Sequence, residues 1–244
     1  MAPVAGDLAF YPSLSSPLSD TAAAGGGIDT ASRLMTAILT TREKLEALSS
    51  SAADITQRVT IRGISFGGLV GIDVLRLNGT TVVKGLVEFR RVLEISLSAS
   101  CAGTVSVRRQ SDNVAIRTIA TGITKYTTLF KYAYPLEQAA LARYEKCFVK
   151  NNHGADSLPK VSLALVDASG LLTVGLAGSL NDSLSVANRR TAPSGITFSA
   201  SSTYVNGSDL TAGAAQGVWL KQTLSVNHRI VEASSNFTVH VFGS

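Results

Sequence analysis

Side chains that commonly carry catalysis or bind metals are scarce in this sequence, which has 2 cysteines and 3 histidines in 244 residues. Cys101 and Cys147 are too few for a disulfide framework and are not spaced as metal ligands. His153, His228 and His240 are not part of any set of four histidine, cysteine or carboxylate side chains at zinc-ligand spacing, which a structural zinc site needs. The scarcity argues against a disulfide scaffold and against a zinc site.

Charge is also sparse. Asp, Glu, Lys and Arg make up 16% of the residues, below the roughly 25% of an average globular domain. The formal net charge is +5, and the basic residues are spread along the sequence without a stripe that contains interleaved aromatics. We therefore predict no nucleic-acid partner, and a surface this low in charge favours a protein that packs against copies of itself or against other subunits.

Long apolar runs are absent, so the sequence predicts no membrane-spanning helix and no membrane partner. The first eight residues lack a positive segment followed by an apolar run, and we expect no secretory signal there. For the two cysteines this leaves two interpretations. They are buried small hydrophobic residues of a chain made in a reducing cytosol, or they form a disulfide, within or between subunits, after assembly.

One short motif matches a catalytic pattern, because Gly63-Ile64-Ser65-Phe66-Gly67 fits the G-x-S-x-G nucleophile elbow. That elbow needs a helix directly after the serine turn, whereas residues 68–79 have the pattern of a strand and a hairpin. No phosphate-binding loop, dinucleotide fingerprint or calcium loop is present. We predict no catalytic residue, no cofactor and no metal.

Alternating apolar and polar residues are frequent, and they indicate strands. Residues 55–62 show the clearest alternation, and Asn78-Gly79 is a strong hairpin-turn signal. Further strand patterns follow at 86–98, 104–108 and 114–119. Strands spaced about ten residues apart with Gly, Asn and Ser turns are typical of a sandwich or a barrel. We predict a β-sandwich-like module over residues 45–122.

The last fifty residues show the same alternation and predict the closing strands of a second module, residues 143–244. In the run 217–224, Val218 and Leu220 fall on one face and Trp219 on the other. The predicted fold class is therefore mainly β, with two β-sandwich-like modules, Ig-like or jelly-roll-like, and an extended N-terminal arm.

Three segments are less clearly patterned. Residues 1–44 are predicted to be an extended N-terminal arm and entry segment, and the Pro-, Ser- and Gly-rich residues 1–30 within them are either a disordered tail or an arm that docks on a neighbouring subunit. Within residues 31–48 a loose helical face competes with an extended interpretation. Residues 123–142 are predicted to be a Tyr-rich linker, with a possible short helix after Pro135.

Aromatic and outward-facing residues on this scaffold are the candidate contacts. Trp219 is covered either by a loop or the linker of its own chain, or by another subunit, since aromatic anchors are enriched at interface centres. Lys221 lies on the same outward face, and His240 faces outward on the last strand. The interface candidates are Trp219, Lys221, His240, Tyr126, Phe130, Tyr132 and Tyr134.

Three segments carry a resemblance. They are the run Leu210-Thr-Ala-Gly-Ala-Ala-Gln-Gly-Val-Trp-Leu-Lys-Gln-Thr-Leu224, the segment Gly26-Gly27-Ile28-Asp29, and Gln57-Arg-Val-Thr-Ile-Arg-Gly63 leading to Leu77-Asn-Gly-Thr-Thr-Val82. In their order along the chain they resemble a group of tailed-bacteriophage virion structural proteins, which includes head decoration and neck or tail proteins. The resemblance implies a structural role in the particle and brings no catalytic or ligand-binding residue with it.

On this basis we expect a non-enzymatic virion protein, assembled in the bacterial host cytoplasm. A head decoration or cement protein that binds the capsid lattice through β-surface and arm contacts is the leading hypothesis. Its partners would be the major capsid protein or other virion subunits, and copies of itself. The alternatives are a neck, collar or tail protein and, in a different class, a carbohydrate- or receptor-binding module that uses Tyr126 to Tyr134. An enzyme fits the sequence least well.

Overall fold

The computed structural model describes residues 5–17, 19–35, 39, 41–130, 139–159, 161–167, 171–200, 205–206, 209–226 and 237–242. The chain forms two compact units. We call Ala31–Lys131 the central unit, and Met1–Thr30 together with Tyr132–Ser244 the terminal unit. Apart from one 3-10 turn, Ala5–Asp7, the regular structure of the described residues is all strand. The predicted mainly-β, sandwich-like fold is confirmed, and its sheets are curled.

The strands of the described residues, in chain order, are β1 (Leu8–Ser15), β2 (Ala24–Ile28), β3 (Ser32–Leu34), β4 (Glu43–Ser49), β5 (Arg58–Ser65), β6 (Val70–Arg76), β7 (Val83–Leu97), β8 (Val105–Arg109), β9 (Ala115–Ile119), β10 (Lys125–Thr127), β11 (Leu141–Asn151), β12 (Ser162–Asp167), β13 (Leu172–Leu180), β14 (Ser185–Val186), β15 (Val205–Asn206), β16 (Ala215–Leu224) and β17 (Phe237–Phe242).

The terminal unit is organised around the pair β11 and β16. Its larger sheet has the order β13-β16-β11-β1-β2-β14, and β15-β12-β17 form a smaller sheet. The antiparallel ladder between β11 and β16 extends from Leu141 opposite Leu224 to Lys150 opposite Ala215. Residues 143–149 and 215–220 are all buried, so both faces of these two strands are covered and the simple alternation of a half-buried strand is lost.

The N-terminal segment belongs to this sheet, which corrects its prediction as an arm or tail. β1 pairs with β11 from Leu8 opposite Asn151 to Pro12 opposite Cys147. β2 then pairs with β1, and β14 pairs with β2. The edge of β11 that faces away from β16 would otherwise expose unpaired backbone groups, and β1 satisfies them.

Buried charges hold the same segment against β11. Arg143 Nε donates to Asp20 Oδ2 at 2.8 Å, and the Arg189 guanidinium forms ion pairs with Asp20 and Glu145. Lys146 Nζ donates to Asp182 Oδ1 at 2.6 Å, to the carbonyl of Gly26 at 2.9 Å and to that of Leu184 at 3.2 Å. Breaking a pair of this kind costs several kcal/mol, because it leaves an uncompensated charge in the interior.

The central unit is organised around the 15-residue strand β7. Its first half pairs with β4, and its second half lies between β5 and β10. The remaining strands extend the sheet, β3 beside β10, β6 beside β5, and β8 and β9 beyond β4. Leu45, Ile61, Phe89, Ile95 and Val107 are fully buried members of its core.

These pairings correct the predicted module boundaries. Within residues 31–48 the described chain forms β3 and β4, so the extended alternative holds there and the central unit begins at Ala31. Residues 125–127, predicted to be linker, form β10, which is bonded to both β3 and β7. Residues 131–138 lie outside the described residues. Leu141 and Ala142, at the end of the predicted short helix, instead begin β11.

The turn predicted at Asn78-Gly79 is present, although it does not close a hairpin of paired strands. Thr81 N–H donates to the Asn78 carbonyl at 3.0 Å, and Gly79 has φ of 58°. β6, which precedes the turn, pairs with β5, whereas β7 pairs with β4, β5 and β10. A turn signal predicts that the chain reverses, but not which strands become hydrogen-bonded neighbours.

Asp54 is 1% exposed and ties the loop after β4 to the loop after β7 in the central unit. The Ser49 hydroxyl donates to Asp54 Oδ2 at 2.6 Å, Ala102 N–H donates to Oδ1 at 2.8 Å, and Gly103 N–H donates to Oδ2 at 3.0 Å. The bond from Ser49 is the largest cause that lowers the pKa of Asp54, and the two backbone bonds lower it further against the opposing effect of desolvation.

This site predicts an acid-sensitive central unit. Because the folded-state pKa of Asp54 lies below its unfolded value of about 3.9, the stabilisation is complete above that value and is lost as the pH falls through the folded-state pKa. Asp54→Asn should lower stability at pH 7 and flatten its decline between about pH 5 and pH 2, in urea unfolding followed by circular dichroism. Glu88→Gln, which removes a charge at a partly exposed site, is the control. An unchanged pH dependence in Asp54→Asn would contradict the assignment.

Candidate interaction surface

Trp219 lies inside the terminal unit, which corrects its assignment as an interface residue. Its side chain is 0% exposed and packs in a cluster with Ala24, Tyr144 and Val186. Leu184, Ile196 and Phe198 pack against the same cluster. The indole therefore faces away from Val218 as predicted for a strand, but segments of its own chain cover it.

Gly25 makes this coverage possible. It has φ of 94°, and a Cβ placed on it would lie 2.8 Å from Trp219 Cη2 and 2.8 Å from the carbonyl oxygen of Leu184. A left-handed backbone favours glycine, and here the lack of a side chain also lets β2 approach the indole. The neighbouring Gly26 has a similar φ of 88°, but the atom nearest to a Cβ placed on it, Leu14 Cβ, is 3.8 Å away.

We therefore predict that Gly25→Ala destabilises the terminal unit more than Gly26→Ala does. Both changes incur the strain of positive φ, and only the first also overpacks the site around Trp219. The difference should be about 1–3 kcal/mol in the free energy of unfolding, measured by chemical denaturation with the fluorescence of the single tryptophan. Equal losses in the two variants would show that close packing against the indole is not what requires Gly25.

The other predicted contacts are only partly described. Lys221 is half-buried on β16, opposite Tyr144 and Thr173. His240 lies opposite Ala164 on β17, and its side chain is outside the described residues. Lys221 and His240 therefore remain predictions as contacts.

The predicted aromatic group does not form an exposed cluster among its described members. Tyr126 packs partly buried against the central core, with the Arg117 guanidinium 5.1 Å from its ring centroid. Phe130 is half-buried with φ of 50°. Tyr132 and Tyr134 lie outside the described residues.

Both cysteines are buried and free, which corrects the disulfide alternative for the folded chain. Burial raises the pKa of the Cys147 thiol to about 12, and the charge of Glu145 adds to this effect. Burial also raises the pKa of Cys101, with a contribution from Asp54. Because the thiolate is the reactive form, both side chains are protected by coverage and by protonation.

This predicts that neither thiol reacts in the native protein. A disulfide reagent added at pH 8 should label no cysteine in buffer and both in denaturant, with the count measured by intact mass. Cys147→Ser should then leave one reactive thiol in denaturant and none in buffer. Rapid labelling of native protein at either position would contradict the burial described here.

An exposed apolar surface lies on the hairpin formed by β5 and β6. We call it the hairpin patch. Its members belong to β6 and to the turn before it, and they are between 41% and 72% exposed. They are Phe66, Leu69, Val70, Ile72 and Val74. Adjacent exposed apolar side chains of this number are uncommon on a free monomer and typically mark an interaction site.

The strand register places these apolar residues beside basic ones on the outer face of the hairpin. Thr60 lies opposite Val74, Arg62 opposite Ile72, and Arg58 opposite Arg76. The alternate residues of β5 and β6 face the interior, where Val59 and Ile61 are 0% exposed and Leu75 is 4% exposed. The outer face is therefore the solvent side of a sheet whose inner side is core.

Asp73 fixes this orientation from the inner side. Its Oδ2 accepts hydrogen bonds from the backbone N–H groups of Leu86, at 2.8 Å, and Val87, at 3.0 Å. β6 has β5 as its one ladder partner among the described strands, so its other edge is unpaired there. An exposed edge strand with an apolar face is a surface on which another chain can pack.

The turn between β5 and β6 confirms the prediction of strand, turn and strand around the G-x-S-x-G match. Ser65 ends β5, and its hydroxyl donates to the Leu69 carbonyl at 2.9 Å. β6 follows at Val70, so the helix of a nucleophile elbow is absent from this position. The hydroxyl stabilises the turn beneath Phe66.

Sequence reasoning did not identify the hairpin patch. In the segment 69–77 both registers contain apolar residues, Val70, Ile72 and Val74 in one, and Leu75 and Leu77 in the other. Alternation alone does not say which set faces the core. Asp73 indicates the wrong face, because a polar residue in an alternating strand normally faces solvent. Its side chain instead lies on the inner side, where the carboxylate accepts hydrogen bonds from the backbone.

No family model matches this chain. No curated protein matches it either. Among solved structures, the vicilin of Solanum melongena is 8% identical over 83% of this chain and 71% of its own, with a TM-score of 0.10. A TM-score this low carries no argument about fold or function.

No three His, Cys, Asp or Glu side chains within the described ranges converge as metal ligands. In the same ranges no helix is long and apolar enough to span a membrane.

Proposed function

We propose that this chain is a non-enzymatic structural component of a tailed-phage virion, and most specifically a head decoration or cement protein that binds the capsid lattice. Two observations support the proposal. One is the resemblance of three segments, within residues 26–29, 57–82 and 210–224, to virion structural proteins. The other is the hairpin patch, which offers a protein partner an apolar face on an unpaired edge strand.

The hairpin patch carries the proposal. Covering apolar surface contributes roughly 25 cal/mol for each Å² removed from water, and Leu69 at 72% exposure and Ile72 at 49% leave much of theirs uncovered in the free chain. A contact of this size is modest for one copy. On a symmetric shell the same contact is repeated many times, and neighbouring contacts reinforce one another.

The proposal predicts that binding to capsid shells depends on the outer face of β6. Ile72→Asp combined with Val74→Asp should weaken binding to shells of the cognate phage at least tenfold, about 1.4 kcal/mol or more, because each carboxylate must be desolvated. Co-sedimentation with purified shells measures this.

Val114→Asp is the matched control, since Val114 is 50% exposed and lies outside the hairpin patch. It should bind as the unmodified chain does. Circular dichroism checks that all variants fold. Full binding by the double variant, or no binding by the unmodified chain, would contradict the proposal. Electron microscopy of decorated particles would distinguish the head from the neck, the collar and the tail.

A further inference from the structure

The two units differ in charge, which the sequence totals conceal. The central unit has fourteen Lys and Arg against seven Asp and Glu, a net charge of +7. The terminal unit has eight against ten, a net charge of −2, and together they give the +5 of the whole chain. The basic residues that are scattered along the sequence are therefore concentrated in one folded body.

The surface of the central unit is more basic than its total charge indicates, because several of its acids are turned inward. Glu43, Glu46 and Asp54 are 9%, 1% and 1% exposed. Glu46 forms an ion pair with Arg108 at 2.6 Å, and the carboxylate of Asp54 accepts the loop hydrogen bonds. Glu43 and Asp54 therefore place no carboxylate on the surface, whereas Glu46 offsets the charge of Arg108.

An arginine pair stands at one end of the outer face of the hairpin. Arg58 on β5 lies directly opposite Arg76 on β6, and both are exposed. No acidic side chain of the described residues lies within ion-pair distance of either one, while Arg62, further along the face, has Glu94 at 3.8 Å. Like charges directly opposite each other on a sheet are mutually destabilising, so a bound anion would relieve this pair.

We propose that the Arg58–Arg76 pair and the hairpin patch form one docking surface for an acidic protein. Carboxylates of the partner bind the two guanidiniums, and apolar side chains of the partner cover Ile72 and Val74. The guanidinium fork matches a carboxylate with two parallel hydrogen bonds. The inference rests on the proposed function for the identity of this partner as a virion subunit, and it adds the chemistry by which that subunit is recognised.

The neighbouring side chains favour a protein over a nucleic acid. Single-stranded nucleic acids are bound by exposed aromatic rings that stack on bases, whereas Ile72 and Val74 are aliphatic. Phe66 is the aromatic member of the hairpin patch, and the Arg42 guanidinium covers its ring at 4.1 Å from the centroid. Charge also disfavours a second central unit as occupant, since two bodies of net charge +7 repel each other.

The first test measures shell binding by the full chain with Arg58→Glu and Arg76→Glu combined. The matched control is Lys44→Glu with Lys84→Glu, which makes the same change in net charge at two exposed residues of β4 and β7. The arginine double variant should lose at least tenfold more affinity than the lysine control. Arg58→Gln with Arg76→Gln, a milder change that retains hydrogen bonding, should lose an intermediate amount. Equal losses of affinity in the arginine double variant and the lysine control would contradict a local binding site at the two arginines. Binding would then depend on net charge alone.

The second test uses two probes and no shells, so the two proposals fail separately. A peptide of alternating valine and glutamate should bind the unmodified chain, bind more weakly as salt rises from about 50 to 200 mM, and lose binding in Arg58→Glu/Arg76→Glu. Peptide binding without shell binding would support this surface and count against the virion role. Shell binding that is unchanged in Arg58→Glu/Arg76→Glu would support the virion role and count against this surface.

Two further outcomes would overturn the inference. The first is tighter binding to a DNA duplex of about 20 base pairs than to the peptide, through the same arginines, which would make the surface a nucleic-acid site. The second is salt-sensitive self-association in sedimentation velocity that Arg58→Glu/Arg76→Glu abolishes, which would make another copy of the chain the occupant.

Discussion

The backbone ladder between β5 and β7 determines which side of the β5–β6 hairpin meets water. In this ladder Ile61 lies opposite Ile95, so Ile61 and the alternate residues of β5 face the core of the central unit. The ladder between β5 and β6 transmits that choice, so Leu75 points inward and Ile72 and Val74 point outward. A shift of one residue would exchange the two sets. The bonds from Leu86 and Val87 to Asp73 oppose such a shift, because a slipped strand would lose them.

The terminal unit depends on a different constraint. Its centre, β11, carries Arg143, Glu145 and Lys146 in a fully covered position, where unpaired charges would be very costly. Their partners include Asp20 near the N-terminus of the chain and Asp182 after β13. Distant parts of the sequence are therefore brought to β11 by specific ionic contacts as well as by apolar packing, which helps to explain why the N-terminal segment is a strand of this unit.

Much of the fold was predictable from local pattern, and the failures have physical causes. The strand predicted at 55–62 is present, although it begins later, at Arg58, and ends at Ser65. With the turn at Asn78-Gly79 and the strand–turn–strand around Ser65, it follows from alternation and turn chemistry, which are local. Trp219 was named as an interface candidate because alternation on β16 shows that its face must be covered but not by which chain, and the structure shows that the same chain covers it. The N-terminal strands were missed because a stretch rich in Gly, Ser and Pro has little strand propensity, and its pairing is with residues more than a hundred positions away.

The candidate surface was less predictable than the fold. Finding it requires the knowledge that β6 is an edge strand, that Asp73 is on its inner side, and that Arg58 and Arg76 are cross-strand neighbours eighteen positions apart. The charge imbalance likewise becomes visible only after the chain is divided at residues 31 and 131, because the central unit interrupts the terminal one in sequence. These are consequences of long-range pairing, and no local window contains them.

We propose that this chain contacts its partner through the outer face of the β5–β6 hairpin. Hydrogen–deuterium exchange of the chain, free and bound to capsid shells, tests it most directly. We expect binding to slow exchange most strongly in the peptides that cover residues 66–76. Protection confined to the terminal unit, with those peptides unchanged, would contradict it.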